Sequence, residues 1–175
     1  MMALLAMAIM IRCSTSAYER MEKVELSKGI RVDTLFLGLR FGMTSNEFFK
    51  QCAGLNKQHL VRDGVGMRVR YDSADLKYPA SMSFYPDFKD DRIYQMPVIF
   101  AYKGWAPWTK DLFSDRLQMD VVKLFEKWYG TGFIEIRHPE KGVAYVKVDG
   151  NRRITVFKQD DATVKVIFKD LLIED

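Results

Sequence analysis

The side chains of this sequence that could do chemistry are few and widely spaced. The chain has two histidines, His59 and His138, and two cysteines, Cys13 and Cys52. Zinc sites need clustered Cys, His or carboxylate ligands, and a hydrolytic triad needs a Ser beside a His and an acid. No HExxH, CxxC, HxH or GxSxG motif is present. The sequence therefore predicts no catalytic, cofactor-binding or metal-binding residue.

Carboxylates from separate parts of the chain could still form a general acid and base. The near pairs are Asp72 with Asp75 and Asp90 with Asp91, and both lie in turn-forming segments where solvated side chains are usual. An enzyme with such a dispersed site stays open as an alternative to a non-catalytic protein. A deep cleft with converging polar groups would favour the enzyme, whereas a broad aromatic face would favour a binding protein.

The sequence also predicts no nucleic-acid partner. The chain carries 27 Lys and Arg against 23 Asp and Glu, a net charge of +4, mixed along its length without a basic stripe. Gly64-Val65-Gly66 has part of a phosphate-loop pattern, but a strand rather than a helix is predicted after it. Arg152-Arg153 contributes only two adjacent charges.

The most suggestive binding feature is the aromatic segment 102–108, YKGWAPW. Aromatic side chains on loops that contain Gly and Pro form binding surfaces for proteins, peptides and sugars. We take Tyr102, Trp105 and Trp108 as candidate partner-binding residues for another protein or a glycan. The same rings could instead cover the start of the helix predicted after them.

The N-terminus predicts export. Residues 3–11 are an uncharged apolar run, shorter than the roughly 20 residues that span a bilayer and suited to a signal-peptide core. Thr15 and Ala17 supply small residues for cleavage, so residues 1–17 are predicted to be a signal peptide of a secreted, periplasmic or envelope protein. Two alternatives stay open: a membrane-bound lipoprotein anchored at Cys13, and an uncleaved cytoplasmic chain.

The elements that must position these residues follow from periodicity. After a linker or frayed start over residues 18–30, a single domain is predicted over residues 31–175. Thr44 and Glu47 form a capping box for a helix over residues 45–53, which a β-prone apolar run over residues 32–41 precedes. A longer helix with an apolar stripe is predicted from about Lys110 to Tyr129. The predicted strands are 66–71, 81–85, 94–102, 132–137, 142–148, 152–158 and 163–169.

This order predicts an α+β fold of two helix-then-antiparallel-strands units in tandem. The halves would be residues 31–103 and 104–175, with the sheet or sheets covered on one face by the helices. Cys52 lies on the predicted buried face of the first helix, as a small apolar side chain. A hydrophobic content of 48% is enough for a core without disulfides.

The segment from Leu37 to Phe48, LGLRFGMTSNEF, resembles the opening of many small exported bacterial proteins. In those proteins a strand ends in Gly, a Thr or Ser caps a helix, and an acidic residue follows. The tandem order also resembles the β-lactamase-inhibitor-protein-like fold and related small outer-membrane assembly lipoproteins. The resemblance implies a non-catalytic binding or structural protein, and no functional residue is carried over from it.

Overall fold

The computed structural model describes residues 16–72, 75–140 and 142–174, and its fold class is α+β, as the sequence predicts. The helices in these ranges are α1 (Ala17–Ser27), α2 (Ser45–Lys57) and α3 (Ser114–Tyr129). The strands are β1 (Val61–Asp63), β2 (Val69–Tyr71), β3 (Ala80–Phe84), β4 (Asp87–Lys89), β5 (Arg92–Tyr102), β6 (Ile134–His138), β7 (Gly142–Asp149), β8 (Arg152–Lys158) and β9 (Thr163–Asp170). No helix within these ranges has the length and apolar character to cross a bilayer. Cys13 and the predicted signal peptide, apart from Ser16 and Ala17, lie outside the described residues.

All nine strands form one antiparallel sheet. The order is β1-β2-β3-β5-β9-β8-β7-β6, and β4 pairs with the first part of β5. β5 pairs with β9 from Gln95↔Lys169 to Ala101↔Thr163. This pairing joins the strands that follow α2 to the strands that follow α3, so the predicted strands share one continuous sheet.

The sheet has two faces because side chains alternate along each strand. The inner face carries fully buried side chains such as Phe100 and Phe168, which share a core with Phe48 of α2 and Phe125 of α3. The opposite face, called the outer face below, carries the residues that alternate with these.

The helix α1 lies on the outer face. Arg153 alternates with buried Ile154 on β8, and its Nη1 donates to Tyr18 Oη of α1 over 2.8 Å. The helices therefore lie on both faces of the sheet, with α1 on the outer face and α2 and α3 contributing to the core of the inner face.

Residues 18–30 contain a capped helix where the sequence predicts a linker or a frayed start. Ser16 Oγ accepts from the Glu19 amide over 3.1 Å, and the Ser16 amide donates to Glu19 Oε2 over 2.8 Å. None of the residues of α1 is buried, so the helix has no apolar stripe for periodicity to detect.

The predicted capping box of α2 is confirmed, but the predicted end of the helix is wrong. Thr44 Oγ1 accepts from the Glu47 amide over 3.2 Å, and the Glu47 carboxylate accepts from the Thr44 amide. Gly54 lies inside the helix, which continues to Lys57, and the positive φ falls at His59. A helix interior tolerates a glycine, and Gly54 does not adopt the positive φ that only glycine adopts readily. Cys52 is a buried free thiol, as predicted.

The apolar run over residues 32–41 forms a turn instead of the predicted strand. The Leu35 amide donates to Leu39 O over 3.0 Å, and the Leu39 amide donates to Phe36 O over 2.9 Å. Leu35, Phe36 and Leu39 are buried in the core cluster. The run is apolar because the turn closes the core, which hydropathy does not distinguish from a strand.

The helix α3 forms nearly where it was predicted, after a 3-10 turn over Lys110–Leu112. Pro97 lies inside β5, which is nevertheless continuous and central in the sheet. Pro97 falls opposite the gap between the end of β3 and the start of β4, since Phe84 pairs with Val98 and Asp87 pairs with Gln95. The missing N–H is tolerated where the neighbouring strand is itself interrupted.

Candidate functional site

The aromatic segment 102–108 is divided between the core and the surface. Tyr102 is 3% exposed at the end of β5, and its hydroxyl donates to Asp120 Oδ2 of α3 over 2.6 Å. Burial and the nearby Asp120 carboxylate raise the pKa of Tyr102 far above its usual value, so the hydroxyl stays protonated. Tyr102 therefore serves the core and does not present its ring to a partner.

Trp105 and Trp108 point to different environments. Trp105 is half-buried, with its ring centroid 5.9 Å from that of Phe113, whereas Trp108 is 81% exposed. The turn between the two rings is closed by Thr109, whose Oγ1 accepts from the Ala106 amide over 2.8 Å and donates to Ala106 O over 2.7 Å. Trp105 packs on Phe113 just before the start of α3, and the closed turn holds Trp108 outward in water.

A second exposed apolar surface, which the sequence pattern did not predict, lies beside α2. Val65 is 92% exposed and Met67 is 88% exposed, in a 3-10 turn between β1 and β2. Phe49 of α2, predicted to lie beside the buried face, is 53% exposed. The sequence predicts a strand over residues 66–71 with Met67 on its apolar side, but the strand begins at Val69 and Met67 has a φ of 61°.

Met67 combines a strained backbone conformation with an exposed, flexible side chain. A positive φ is unfavourable for a residue with a side chain, and such strain concentrates at functional sites. Methionine side chains are flexible and polarisable, and they are common on surfaces that accept varied partners. Met67 combines this backbone conformation with nearly complete exposure. Gly64-Val65-Gly66 indicates a turn in the sequence, but the alternation from Met67 onward placed Met67 in the strand that follows.

A groove of about 470 Å³ separates α2 from this turn, and we call it the α2 groove. Its apolar lining residues are Phe48, Phe49, Cys52, Ala53, Val61, Met67, Val69 and Tyr85. Its charged lining residues are Lys57, Arg62, Asp63 and Arg68, which give the groove a net positive charge. A partner's apolar side chain would match the apolar lining of the groove, and acidic residues beside it would match the groove's positive charge.

A smaller apolar cavity of about 260 Å³ lies where α3 ends. It is lined by Leu35, Phe36, Leu37, Tyr71, Met82, Trp128 and Tyr129. Burial raises the pKa of Tyr129 far above its usual value, so this hydroxyl also stays protonated. The cavity offers apolar volume without a side chain that could act as a base near neutral pH.

The Asp72 carboxylate forms ion pairs with basic side chains rather than a pair with another carboxyl group. Its carboxylate accepts from Arg62 Nη2 over 2.6 Å, Arg70 Nε over 3.0 Å and Lys103 Nζ over 3.1 Å. Burial alone would raise the pKa of Asp72, but the hydrogen bonds from Lys103 and Arg70 outweigh it and lower the pKa. Asp72 is therefore ionised and paired, as a structural carboxylate.

The carboxyls of Asp75 and Asp91 in the candidate pairs also have structural partners. Asp75 accepts from Lys127 Nζ over 2.7 Å, and this bond lowers the pKa of Asp75. Asp91 accepts from the Ser45 amide over 3.1 Å, and hydrogen bonding to Ser45 lowers its pKa. Asp90 and Asp91 both have positive φ in the turn between β4 and β5. The resolved pKa shifts in the two candidate pairs, those of Asp72, Asp75 and Asp91, are thus all downward, opposite to the shift of a general acid near neutral pH.

The histidines lie in positions that do not gather metal ligands. His59 has a φ of 59° just after α2, and His138 Nδ1 accepts from the Glu140 amide over 3.2 Å at the end of β6. Across residues 16–72, 75–140 and 142–174, no group of three or more His, Cys, Asp and Glu side chains is placed to hold a metal ion.

Known proteins provide no template for these surfaces. No family model matches the sequence, no curated protein matches it, and no solved structure matches the fold. The function must therefore be inferred from the chain's own surfaces and charges.

Proposed function

We propose that this chain is a non-catalytic binding protein, exported to the cell envelope or secreted, that holds another protein through the α2 groove and Trp108. The observation that carries the proposal is the extreme exposure of three large apolar side chains: Val65 at 92%, Met67 at 88% and Trp108 at 81%. Val65 and Met67 lie in one turn beside the α2 groove, and an exposed apolar patch of this kind marks an interaction site.

The chemistry of the groove suggests which segment of a partner it takes. Phe49 and Met67 supply apolar walls, while Lys57, Arg62 and Arg68 outnumber the single acid Asp63 in the lining. A partner segment with one or two apolar anchor side chains and acidic neighbours would gain both burial and attraction there. A glycan stacked on Trp108 is the second ligand class, supported by the exposed ring on a closed turn.

The charge states of the carboxyl groups support a non-catalytic role. Acid catalysis near neutral pH needs a carboxyl whose pKa is raised. The described carboxyls with a resolved shift all have lowered pKa values: Glu25, Glu47, Asp72, Asp75, Asp91 and Asp160. An enzyme with a dispersed carboxylate site remains the alternative, and it would need a carboxyl outside this set.

We also infer that α2 with β1–β5 and α3 with β6–β9 are two units of one plan, as in the β-lactamase-inhibitor-protein-like fold. Both helices precede their strands, and both pack on the inner face. The units meet where β5 pairs with β9. This arrangement and the exported families that it resembles support binding rather than catalysis.

Export rests on the apolar segment 3–11 and the small residues Thr15 and Ala17. Cleavage after Ala17 would remove Ser16, the N-cap of α1, and leave Tyr18, whose hydroxyl accepts from Arg153, as the first residue of the mature chain. The intact mass of the native protein from soluble and membrane fractions tests this. A start near Tyr18 supports secretion, an acylated Cys13 supports a lipoprotein, and an uncleaved chain supports a cytoplasmic protein.

Selection from a displayed peptide library tests the binding proposal on the purified chain. We expect selected peptides to carry apolar anchors with acidic flanks, and to lose at least about tenfold in affinity when Met67→Glu or Arg68→Glu is introduced. Val24→Glu is the matched control, since Val24 is 56% exposed on α1, away from the groove. Selected peptides that bind Met67→Glu and wild type equally would refute the groove as the site.

A further inference from the structure

The strand β6 forms one end of the sheet, and no strand of the described residues pairs with its outer edge. It pairs with β7 over five positions, from Ile134↔Val146 to His138↔Gly142. An edge strand presents unpaired N–H and C=O groups, and proteins usually protect such edges with like charges, bulges or proline. In β6 the two charges are instead of opposite sign, Glu135 and Arg137.

These two charges specify one register for pairing β6 with a second copy of itself. An antiparallel pair centred on Ile136 places Glu135 of each copy opposite Arg137 of the other, and Ile136 opposite Ile136. A pair centred on residue 135 places Glu135 against Glu135, and one centred on residue 137 places Arg137 against Arg137. Like charges directly opposite each other destabilise a strand pair, while opposite charges stabilise it.

Pairings shifted by an odd number of residues fail for another reason. They would bring side chains of the outer face of one copy against the inner face of the other, because side chains alternate with a period of two. The pairing centred on Ile136 keeps each face continuous across the two-fold axis and uses all five residues of β6.

The face that this register joins is apolar near the edge. Ile136 pairs with Ala144 of β7, which pairs with Phe157 of β8, and all three lie in one row on the outer face. The row is only half-buried in the described chain. Joining two such rows at a two-fold axis doubles the apolar strip without exposing a new edge.

Glu135 and Arg137 pair with each other within one chain, and each could pair with the opposite charge of a second copy instead. Arg137 Nη2 lies 2.5 Å from Glu135 Oε1, and Tyr145 Oη donates to Glu135 Oε2 over 3.2 Å. The Arg137 side chain is 76% exposed and the Glu135 side chain is 37% exposed. In a dimer, the two Glu135 and two Arg137 side chains can thus form one cluster of four charges across the two β6 strands.

We propose that β6 is a homodimer interface, in which two copies of this chain pair their β6 strands antiparallel about Ile136. The occupant of the edge is a second copy, and a strand from an unrelated protein is an outcome that the experiments below separate from it.

Charge exchange on the full-length chain tests the register. Sedimentation of the wild type should give twice the monomer mass, and Glu135→Arg or Arg137→Glu should each weaken dimerisation at least about tenfold, through like-charge opposition. The two single variants should recover dimers when mixed, since one then carries only basic and the other only acidic side chains at the edge. The double variant E135R/R137E should dimerise like the wild type.

A disulfide at the two-fold axis tests the pairing independently. Paired residues of antiparallel strands have Cα atoms about 4.5–5.5 Å apart, within reach of a disulfide. Ile136→Cys in a Cys13→Ser background should form intermolecular disulfides on mild oxidation. His138→Cys, on the same strand and face, should not, because its copies would lie roughly 14 Å apart.

Three results would overturn the proposal: a monomeric wild type at its highest soluble concentration, charge variants that dimerise as tightly as wild type, or equal crosslinking at positions 136 and 138. A monomeric wild type would mean that the free edge of β6 is available for pairing with a strand of another protein.

Discussion

The hydroxyl of Tyr129, the last residue of α3, donates a hydrogen bond to the backbone carbonyl of Leu35 over 3.0 Å. The Arg152 guanidinium lies 4.7 Å from the centre of the same ring, and its Nη1 donates to Thr34 O over 2.6 Å. The neighbouring backbone carbonyls of Thr34 and Leu35, in one turn, thus accept hydrogen bonds from β8 and α3 respectively. These two bonds fix the turn to the rest of the fold, in addition to its own single bridge between Thr34 and Arg40.

Replacing Tyr129 with Phe should destabilise the fold without removing the ring. The change leaves Leu35 O without its partner in a largely buried place, which costs about 1–3 kcal/mol in free energy of unfolding. Urea denaturation of Tyr129→Phe and wild type measures this difference. An unchanged midpoint would show that water replaces the hydroxyl at Leu35.

The stability of the wild type should fall at alkaline pH. The folded-state pKa values of Tyr102 and Tyr129 are raised, chiefly by burial, above the unfolded value near 10. Their contribution is therefore complete below about pH 10 and is lost as the pH rises through the folded values, because only the unfolded state then releases the proton. Denaturation midpoints measured between pH 8 and 11 should drop more steeply for wild type than for a Tyr102→Phe/Tyr129→Phe double variant.

Removing the Asp170 carboxylate should be more costly than removing its exposed partner. Asp170 is 1% exposed and accepts from Asn151 Nδ2 over 2.8 Å and Arg31 Nη2 over 3.1 Å. Asp170→Ala leaves the buried Asn151 amide unpaired and should cost roughly 3 kcal/mol. Arg31→Ala should cost about 1 kcal/mol or less, because the Arg31 side chain is 49% exposed and its pairing is screened by solvent. Equal losses in free energy of unfolding would contradict this ranking.

Adding a methyl group at Gly150 should disrupt the β7–β8 hairpin. Gly150 has a φ of 54°, and a Cβ there would lie 2.2 Å from Ile30 O. The control is Gly104→Ala, since Gly104 has a φ of 79° but a Cβ there would meet no atom within 4 Å. Both changes carry the cost of a positive φ, roughly 1 kcal/mol, and only Gly150→Ala carries the clash. Thermal denaturation of the two variants should therefore separate them clearly.

Alkylation of Cys52 should report unfolding of the domain. Burial raises the pKa of the Cys52 thiol to about 11, so almost no thiolate is present near neutral pH. We expect iodoacetamide to modify Cys52 only in denaturant, at a rate that follows the unfolded fraction, measured in a Cys13→Ser chain. Rapid labelling under native conditions would mean that α2 opens locally.

Local patterns were enough to predict some elements and not others. Thr44 and Glu47 located the start of α2, and the apolar stripe located α3. Ser16 and Glu19 form the same type of cap, but α1 has no buried residue and lay in a charged segment that was taken for a linker. Caps are encoded locally, so α1 was detectable in principle, although its lack of an apolar stripe hid it.

The features that carry the proposed function were harder to predict, because they depend on burial. Trp105 and Trp108 have the same residue type and lie three positions apart, yet one ring packs on Phe113 and the other is exposed. The exposure of Met67 depends on a left-handed turn inside an alternating pattern. The pairing of β5 with β9 joins distant segments, and no periodicity within either strand specifies its partner.

The position of β9 has a consequence for the order of events during synthesis. Residues 163–170 lie between β5 and β8, in the middle of the sheet, and supply fully buried Val164, Val166 and Phe168 to the core. Until those residues have been synthesised, the edges of β5 and β8 that β9 joins have no strand between them. We therefore expect the sheet to close late in folding, with the β5 and β8 edges open to wrong pairing until β9 lies between them.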